Sequence, residues 1–554
     1  MGAKPSKSLT VVLAALALLG RAAAAEILDP LPVLAQVGPW PVLSQLIGFD
    51  QRLWFANSVK GRNHNSADLY SYDPRTGALR YEKHLFSQDV GRPLALDGRL
   101  YWPYEDSRFS LGWGEFQVTD GVRWRSGVIP TARIFHTHAL VQAGGRMVAA
   151  TSAWRAGFQV STDGGATWRQ VYDHPTPERQ VSRIVTVEAL GPQVFGVLLH
   201  RDKRRLLVLK GERVSEVPGW PKDRPVLGLA AFQGWLYGAV QEADGMAIWR
   251  SDGAASDRVA PPRAGWRVRD LAAGAGRLWA VSAEGDGGVL WSSPDGILWT
   301  AERRLAGGTP WEIAVYGGEV YVAGAGADGR GRLWGPAPPA PVERPAGRRA
   351  PLQSLLRPAS DPLDGAALDR ALLDPASYGD RRVLRDLVYD AALKPGGPAV
   401  LGARLGWALP EQSQSLIGGR VQVPAADLGR WILLWGLAKA GVGQGDGQGA
   451  DRVPPSLIAE PWTQPDNASQ KYFAAPPSAI WAAAAANQND RATIEALIGR
   501  LNRPDDPLWL RGDAIGALTA LTGRKFAYDP AAWQSWWAQA APQWPHQRTD
   551  TPTP

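Results

Sequence analysis

The sequence predicts an all-β, seven-bladed propeller followed by an all-α domain, and three observations carry that reading. First, a turn-plus-strand signature occurs in seven copies: Arg52-Leu53-Trp54, Arg99-Leu100-Tyr101, Arg146-Met147-Val148, Gln193-Val194-Phe195, Trp235-Leu236-Tyr237, Arg277-Leu278-Trp279 and Glu319-Val320-Tyr321. Their central apolar residues lie 47, 47, 47, 42, 42 and 42 residues apart. A repeat in the forties, filled with short strands and turns, fits a propeller blade of four strands. Second, an apolar run with period-two alternation follows each copy, as in Asp68-Leu69-Tyr70-Ser71-Tyr72, Ala247-Ile248-Trp249-Arg250 and Arg332-Leu333-Trp334. Such alternation marks strands. Third, beyond a Pro-rich stretch the apolar spacing changes to three and four residues, the period of helices.

Taken in order, residues 1–25 read as an export signal. Lys4 and Lys7 precede a short apolar core, Leu9 to Leu19, and Arg21-Ala22-Ala23-Ala24-Ala25 ends in small residues suited to cleavage after Ala25. The core is short for a bilayer span. A secreted or periplasmic protein with no stable membrane span after cleavage is therefore expected. The chain has no cysteine, which excludes disulfides, a thiolate nucleophile and Cys-ligated metal. Its formal net charge is +7, which favours acidic partners. No Lys/Arg tail concentrates that charge, so nucleic acid is not expected as a partner.

Residues 26–345 are assigned to the propeller. Each signature copy begins a second strand, and the apolar run before it is the innermost strand, as in Arg92-Pro93-Leu94-Ala95-Leu96 and Thr137-His138-Ala139-Leu140-Val141. The stretch Ile27 to Val37 is available as the last outer strand of the seventh blade. Residues 346–365 form a Pro-rich linker, whose character begins at Gly335-Pro336-Ala337-Pro338-Pro339-Ala340-Pro341 and which is stiff and extended. Residues 366–554 are assigned to a helical domain. Helices are expected over Arg382–Ala392, Ala425–Ala440, Pro477–Ala486, Arg491–Leu501, Leu508–Leu521 and Pro530–Ala540, with a Gly/Gln-rich break at Gly441–Ala450. Asp529 suits an N-cap and Pro530 a first helical position.

One turn reads Ser161-Thr162-Asp163-Gly164-Gly165-Ala166-Thr167-Trp168, and a shorter version reads Ser293-Pro294-Asp295-Gly296-Ile297-Leu298-Trp299. Fragments recur at Thr119-Asp120-Gly121 and Ser251-Asp252-Gly253. In such a turn the Asp carboxylate accepts backbone N–H bonds, Gly takes positive φ and Trp covers the hairpin. Here the chain resembles the Asp-box (BNR-repeat) propellers. That family includes sialidases, xyloglucan-cleaving hydrolases, sorting receptors and assembly factors for photosynthetic complexes. The resemblance implies a structural role, away from any active face, for Ser161, Asp163, Gly165, Trp168, Ser293, Asp295, Gly296 and Trp299.

Candidate ligand-binding residues cluster where the innermost strands begin. Five consecutive blades place arginine there: Arg92, Arg133, Arg183, Arg224 and Arg269, with Arg267 beside the last. Guanidinium groups converging on one funnel would hold carboxylate, sulfate or phosphate through paired hydrogen bonds. The other reading is that each is a loop arginine satisfied by a neighbouring carboxylate such as Asp223 or Asp270. His136 and His138, two apart on a strand, share a side. No second cluster with metal-ligand spacing accompanies them, so neither a metal nor another cofactor is expected.

A sialidase would need a Phe/Tyr-Arg-Ile-Pro motif; Ala132-Arg133-Ile134-Phe135 lacks its Pro. A xyloglucan-type hydrolase needs two facing carboxylates, and Glu105, Asp106, Glu242 and Glu284 are available without a pairing in sequence. At the other end, Leu521-Thr522-Gly523 and Asp529-Pro530-Ala531-Ala532-Trp533-Gln534-Ser535-Trp536-Trp537 resemble the closing segment of bacterial HEAT-like repeat proteins. This implies a tryptophan cap on a helical stack. The sequence thus points to an exported, non-enzymatic binding or scaffolding protein whose funnel takes an acidic glycan or a protein partner. A carbohydrate-active hydrolase on the same face is the alternative. Oligomeric state is left open.

Overall fold

The computed structural model describes residues 28–544 apart from 60–66, 108–111, 132–133, 153–154, 178–179, 338–362, 380, 417–420, 442–452, 463–474 and 486–487. The expected export signal, Arg133 and most of the expected linker lie outside the described residues.

Strands from Val33 to Trp334 form five four-stranded antiparallel sheets and one nine-stranded sheet. Four of the five are plain meanders over residues 42–85, 182–216, 226–259 and 268–305. The nine-stranded sheet spans residues 87–173 and contains two meanders, 94–129 and 136–173. They are joined where His136 pairs with Glu105. The first strands of successive meanders stand side by side: Val42–Phe49, Leu94–Leu96, His136–Ala143, Ser182–Leu190, Val226–Phe232, Val268–Gly274 and Gly308–Tyr316, which returns to Val42–Phe49. This closed circuit makes the β part a propeller.

The signature copies open second strands throughout, and their central residues are buried. Leu53, Leu100, Val194, Leu236 and Leu278 have no exposed surface. Each fills the space between adjacent sheets, which is why the period survives in otherwise dissimilar modules.

The fifth four-stranded sheet draws three strands from 308–334 and its outer strand, Val33–Val37, from the other end of the β region. That strand pairs antiparallel with Gly331–Trp334, Val37 opposite Gly331. The first strand therefore bolts onto the last, as the availability of Ile27 to Val37 suggested, though Ile27 itself lies outside the described residues.

Among the described residues nine α-helices follow: α1 (Gly365–Leu373), α2 (Arg381–Leu393), α3 (Gly397–Ala403), α4 (Ala425–Gly441), α5 (Pro455–Ala459), α6 (Ala475–Ala485), α7 (Arg491–Leu501), α8 (Leu508–Thr522) and α9 (Pro530–Ala540). A small hairpin, Ser413–Leu416 with Val421–Pro424, precedes α4. Asp529 caps α9 by accepting from the Ala532 amide at 2.9 Å. Trp533 of α9 is fully buried and donates to the Ala527 carbonyl at 3.0 Å. No described helix is long and apolar enough to cross a membrane.

The helical part packs directly on the propeller. One apolar cluster joins Phe55, Tyr70, Tyr72 and Tyr81 of the 42–85 sheet to Ile515 and Leu518 of α8 and Trp435 of α4. Trp113, from the nine-stranded sheet region, meets Tyr389 of α2 at 4.9 Å between ring centroids, and the Arg385 guanidinium lies 4.3 Å from its centroid. On α8, Gly516 lies so close to His84 that a Cβ would come within 2.5 Å of the histidine Cβ.

A chain starting at Gly38 lacks the closing strand and leaves Gly331–Trp334 with an open edge. It is expected to aggregate and to lose the cooperative thermal transition of the full chain. An unchanged calorimetric transition in a monomeric sample would refute that role.

Candidate functional site

Three groups of side chains lie along the inner strands. At the strand start, His136 and His138 stack with centroids 5.4 Å apart and planes 19° from parallel. The His138 Nε2 lies 2.8 Å from the Ser152 hydroxyl, and its Nδ1 is 3.9 Å from a Glu105 oxygen. The buried His136 Nδ1 has no hydrogen-bond partner among the described residues. Burial, reinforced by the positive charge of Arg183, pushes the His136 pKa down to about 3. Burial, with His136 and Arg183 beside it, holds His138 well below the usual histidine range. Both rings are therefore neutral at pH 7, and Arg183 carries the positive charge of the group. It is half-buried on Ser182–Leu190 and has no ion pair among the described residues.

Deeper along the strands, Arg92 donates to the Val187 carbonyl and to Glu188 Oε2, the latter at 2.8 Å. Asp270 and Glu312 also lie within electrostatic reach of this guanidinium. Glu312 accepts from the Gln45 backbone amide. Asp270 Oδ2 accepts from the Ile313 amide at 3.2 Å. Its Oδ1 nestles against Gly228, where a Cβ would lie 2.4 Å away. Glycine is needed at that position for the carboxyl to fit. Burial, then the charge of Glu312, pushes the Asp270 pKa up to about 8, against two backbone amides and Arg92. Asp270 is thus largely protonated at neutral pH.

The third group is Arg269, whose guanidinium lies 5.4 Å from the centroid of Trp311. Trp311 is 36% exposed, and Leu227 on the adjacent strand is 41% exposed, so this part of the circuit offers apolar surface beside a cation.

The structure thus brings His136, His138 and Arg183 together, and it places Arg92 among carboxyl groups instead of beside them. Arg224 and Arg267 are exposed; Arg224 stands within reach of Glu242. Glu242 is itself engaged by Arg258 at 2.8 Å and by the Trp249 indole at 3.0 Å. Glu284 pairs with Arg263. Convergence of guanidinium groups is narrower than the sequence suggests.

Asp270 and Glu312 escape a motif search because they belong to different modules. A signal exists nonetheless. Gly228, Asp270 and Glu312 are 42 residues apart, as are Leu227, Arg269 and Trp311. Reading down the period, instead of along the chain, collects both groups.

The Asp turns are self-contained. Asp163 accepts from the Thr167 amide (2.8 Å) and hydroxyl (2.5 Å), and Ser161 Oγ accepts from the Gly165 amide at 2.9 Å. Trp168 packs edge-on against Phe116 of the neighbouring meander, 6.0 Å between centroids. Asp295 accepts from the Ile297 and Leu298 amides at 2.8 and 2.9 Å, with Gly296 at φ +74° and the Ser293 hydroxyl on its carboxylate at 2.9 Å. Trp299 lies 5.4 Å from Trp266. Asp120 and Asp252 hold their turns the same way. Among the described residues, no group of three His, Asp or Glu side chains is arranged to hold a metal ion.

No family model matches the sequence, and no curated protein matches it. Among solved structures the chain is similar to the WD40 domain of Neurospora crassa Pan2 (12% identity, 56% of this chain, 95% of that one, TM-score 0.39). It is also similar to the WD40 β-propeller domain of Doa1 (12%, 55% and 97%, TM-score 0.38) and to prolyl endopeptidases (11%, 61% and 56%, TM-score 0.37). The propeller assignment rests on the strand circuit described above.

The Asp270 proton gives stability a defined pH dependence. Its folded pKa, about 8, lies above the ordinary carboxyl value, so the folded chain holds a proton that the unfolded chain releases. The favourable contribution is complete below the ordinary value and is lost as pH rises toward 8 and beyond. Melting temperature should therefore fall by a few degrees between pH 6 and 8.5 in the parent and fall less in Asp270→Asn. Equal slopes for both would remove Asp270 from the account.

Proposed function

We propose that this chain is an exported, non-enzymatic binding or scaffolding protein whose propeller mouth captures an acidic ligand at Arg183. The observation that carries this reading is the state of that arginine. It is half-buried, has no ion pair among the described residues and faces two histidines held neutral. A partly desolvated guanidinium beside neutral imidazoles is suited to a carboxylate or sulfate, which would gain charge-assisted hydrogen bonds there. The His136 Nδ1, without a partner among the described residues, offers a further polar contact. Arg269 on Trp311, next to exposed Leu227, would take an apolar or sugar-ring portion of the same ligand.

We count the nine-stranded sheet as two blades fused at His136 and Glu105, which makes a seven-bladed ring. The side-by-side order of the first strands supports that count. Membership of the Asp-box propellers is supported by four turns held by an aspartate: Asp120, Asp252 and Asp295 each accept from the amide three residues on, and Asp163 from the amide four residues on. The helical region, taken as a HEAT-like stack closed by the α9 tryptophans, would give a second surface for a protein partner.

The alternative, a carbohydrate-active hydrolase, draws on one observation: protonated Asp270 lies near Glu312, and glycoside hydrolysis uses a protonated and an ionised carboxyl together. Against it, Asp270 is wedged on Gly228 and engaged by backbone amides.

Titrating the protein with oligogalacturonate and with a poly-glutamate peptide separates these readings. Arg183→Gln should weaken capture of one of these probes about 10- to 100-fold, the worth of a charge-assisted hydrogen bond. Affinity should fall with added salt. Turnover of aryl glycosides that disappears in Asp270→Asn would favour the hydrolase, and Arg183→Gln without effect on either probe would end the binding assignment at this site.

A further inference from the structure

A buried polar network lies at the contact between the propeller and α8. His84, on the outer strand of the 42–85 sheet, has no exposed side-chain surface, and neither do Asp68 and Asp513. Its Nδ1 is 2.8 Å from Asp68 Oδ1 and its Nε2 is 2.9 Å from Asp513 Oδ1. Asp68 also accepts from the Trp40 indole at 2.9 Å and the Tyr528 hydroxyl at 2.8 Å, with the Tyr81 hydroxyl at 3.4 Å. An oxygen pair surrounded by that many donors has only acceptor roles left. Nδ1 of His84 therefore donates to Asp68, and a second donation, from Nε2 to an ionised Asp513, would make the ring an imidazolium.

We propose that His84 is a proton-operated latch: protonated, it ties Asp68 of the propeller to Asp513 of α8 and holds the helical region docked, and loss of its proton loosens that contact.

The groups facing the ring support the assignment. Asp68 and Tyr70 come from the Ala67–Tyr72 strand, and Tyr81 and Glu82 from the strand of His84 itself. Asp513 comes from α8, and Tyr528 and Lys525 from the segment after it. Arg500 of α7, paired with Asp506, acts on Asp513 from behind. Lys525 is already bound to Glu82 at 2.6 Å, and the Tyr70 hydroxyl donates to the Gly38 carbonyl at 3.0 Å. Burial raises the phenols of Tyr70, Tyr81 and Tyr528 far above their usual range, so they remain neutral. For His84, burial works against the charged ring, yet the hydrogen bonds to Asp513 and Asp68 outweigh it and raise its pKa. The sign follows: docking is strongest below the ordinary histidine value and weakens as pH rises toward the raised one.

Two measurements on the full chain test the latch. Nitrogen NMR of the histidine rings, with the His84 signal identified by its absence in His84→Gln, should show both ring nitrogens protonated at pH 7. Hydrogen exchange of the α8 amides, corrected for intrinsic rate, should lose protection as pH rises above roughly 6.5, by at most about tenfold per pH unit. In Asp513→Asn the amide can donate to a neutral ring, so α8 should stay protected and its pH dependence should flatten. A neutral His84 ring at pH 7, protection in the parent chain that does not change with pH, or an Asp513→Asn slope equal to the parent's would each overturn the proposal.

Discussion

Closure of the ring is the constraint from which the other features follow. A propeller sheet buries its faces against its neighbours, and an unclosed circuit would leave two of those faces and a backbone edge open. Pairing Val33–Val37 with Gly331–Trp334 seals the seam by backbone hydrogen bonds between segments from opposite ends of the β region. Once the circuit is closed, the spacing of the first strands is set, and with it the distances between residues that are far apart in sequence. Arg92 can reach Glu188, and Asp270 can meet the Ile313 amide, only because the strands carrying them share one axis.

That geometry also explains why the inner strands do not form a uniformly positive funnel. Side chains directed inward from a closed circuit crowd together, and like charges at that density would repel strongly. The arrangement found answers this with one guanidinium, Arg92, among Glu188, Asp270 and Glu312, and with one carboxyl, Asp270, kept protonated by burial and by the charge of Glu312. Nearer the strand starts, the same economy holds His136 and His138 neutral beside Arg183. Arg183 keeps its charge with no counter-ion among the described residues.

The period was readable because each module must bury one apolar residue just after a tight turn; Leu53, Leu100 and Leu236 are three instances of a single steric demand. The longer helices were readable for a similar reason, since Arg491–Leu501 must bury a face and Leu508–Thr522 is buried all round from Gly512 to Thr519. Short helices were not: α3 and α5 span 7 and 5 residues and begin with Pro in the first turn, too little chain for a periodic pattern. The carboxyl pair was hidden because equivalent positions hold unlike residues, glycine at 228, aspartate at 270 and glutamate at 312. No spacing rule could have joined His84 to Asp513, which are 429 residues apart in the chain.

Docking of the helical region resolves a problem that the outer strands pose. An outer strand exposes unpaired backbone groups, and proteins blunt such edges with charge or cover. Arg213–Glu216 and Ser256–Val259 rely on charge, each presenting exposed polar side chains, whereas Thr300–Leu305 is covered by the segment from Asp29 to Leu31, whose backbone bonds to Arg304 on both sides of Pro30. Leu79–Leu85 differs: five of its seven residues, from Tyr81 to Leu85, are buried or half-buried, and α8 lies against it. A strand carrying Tyr81, His84 and Leu85 would be an aggregation hazard if left bare. Covered by α8, it becomes an interface in which a buried ion network is enclosed by apolar contacts from Ile515 and Leu518. The apolar packing supplies adhesion without direction. The His84 contacts, with a carboxylate on each side, supply the direction, because only one placement of α8 brings Asp513 to the ring.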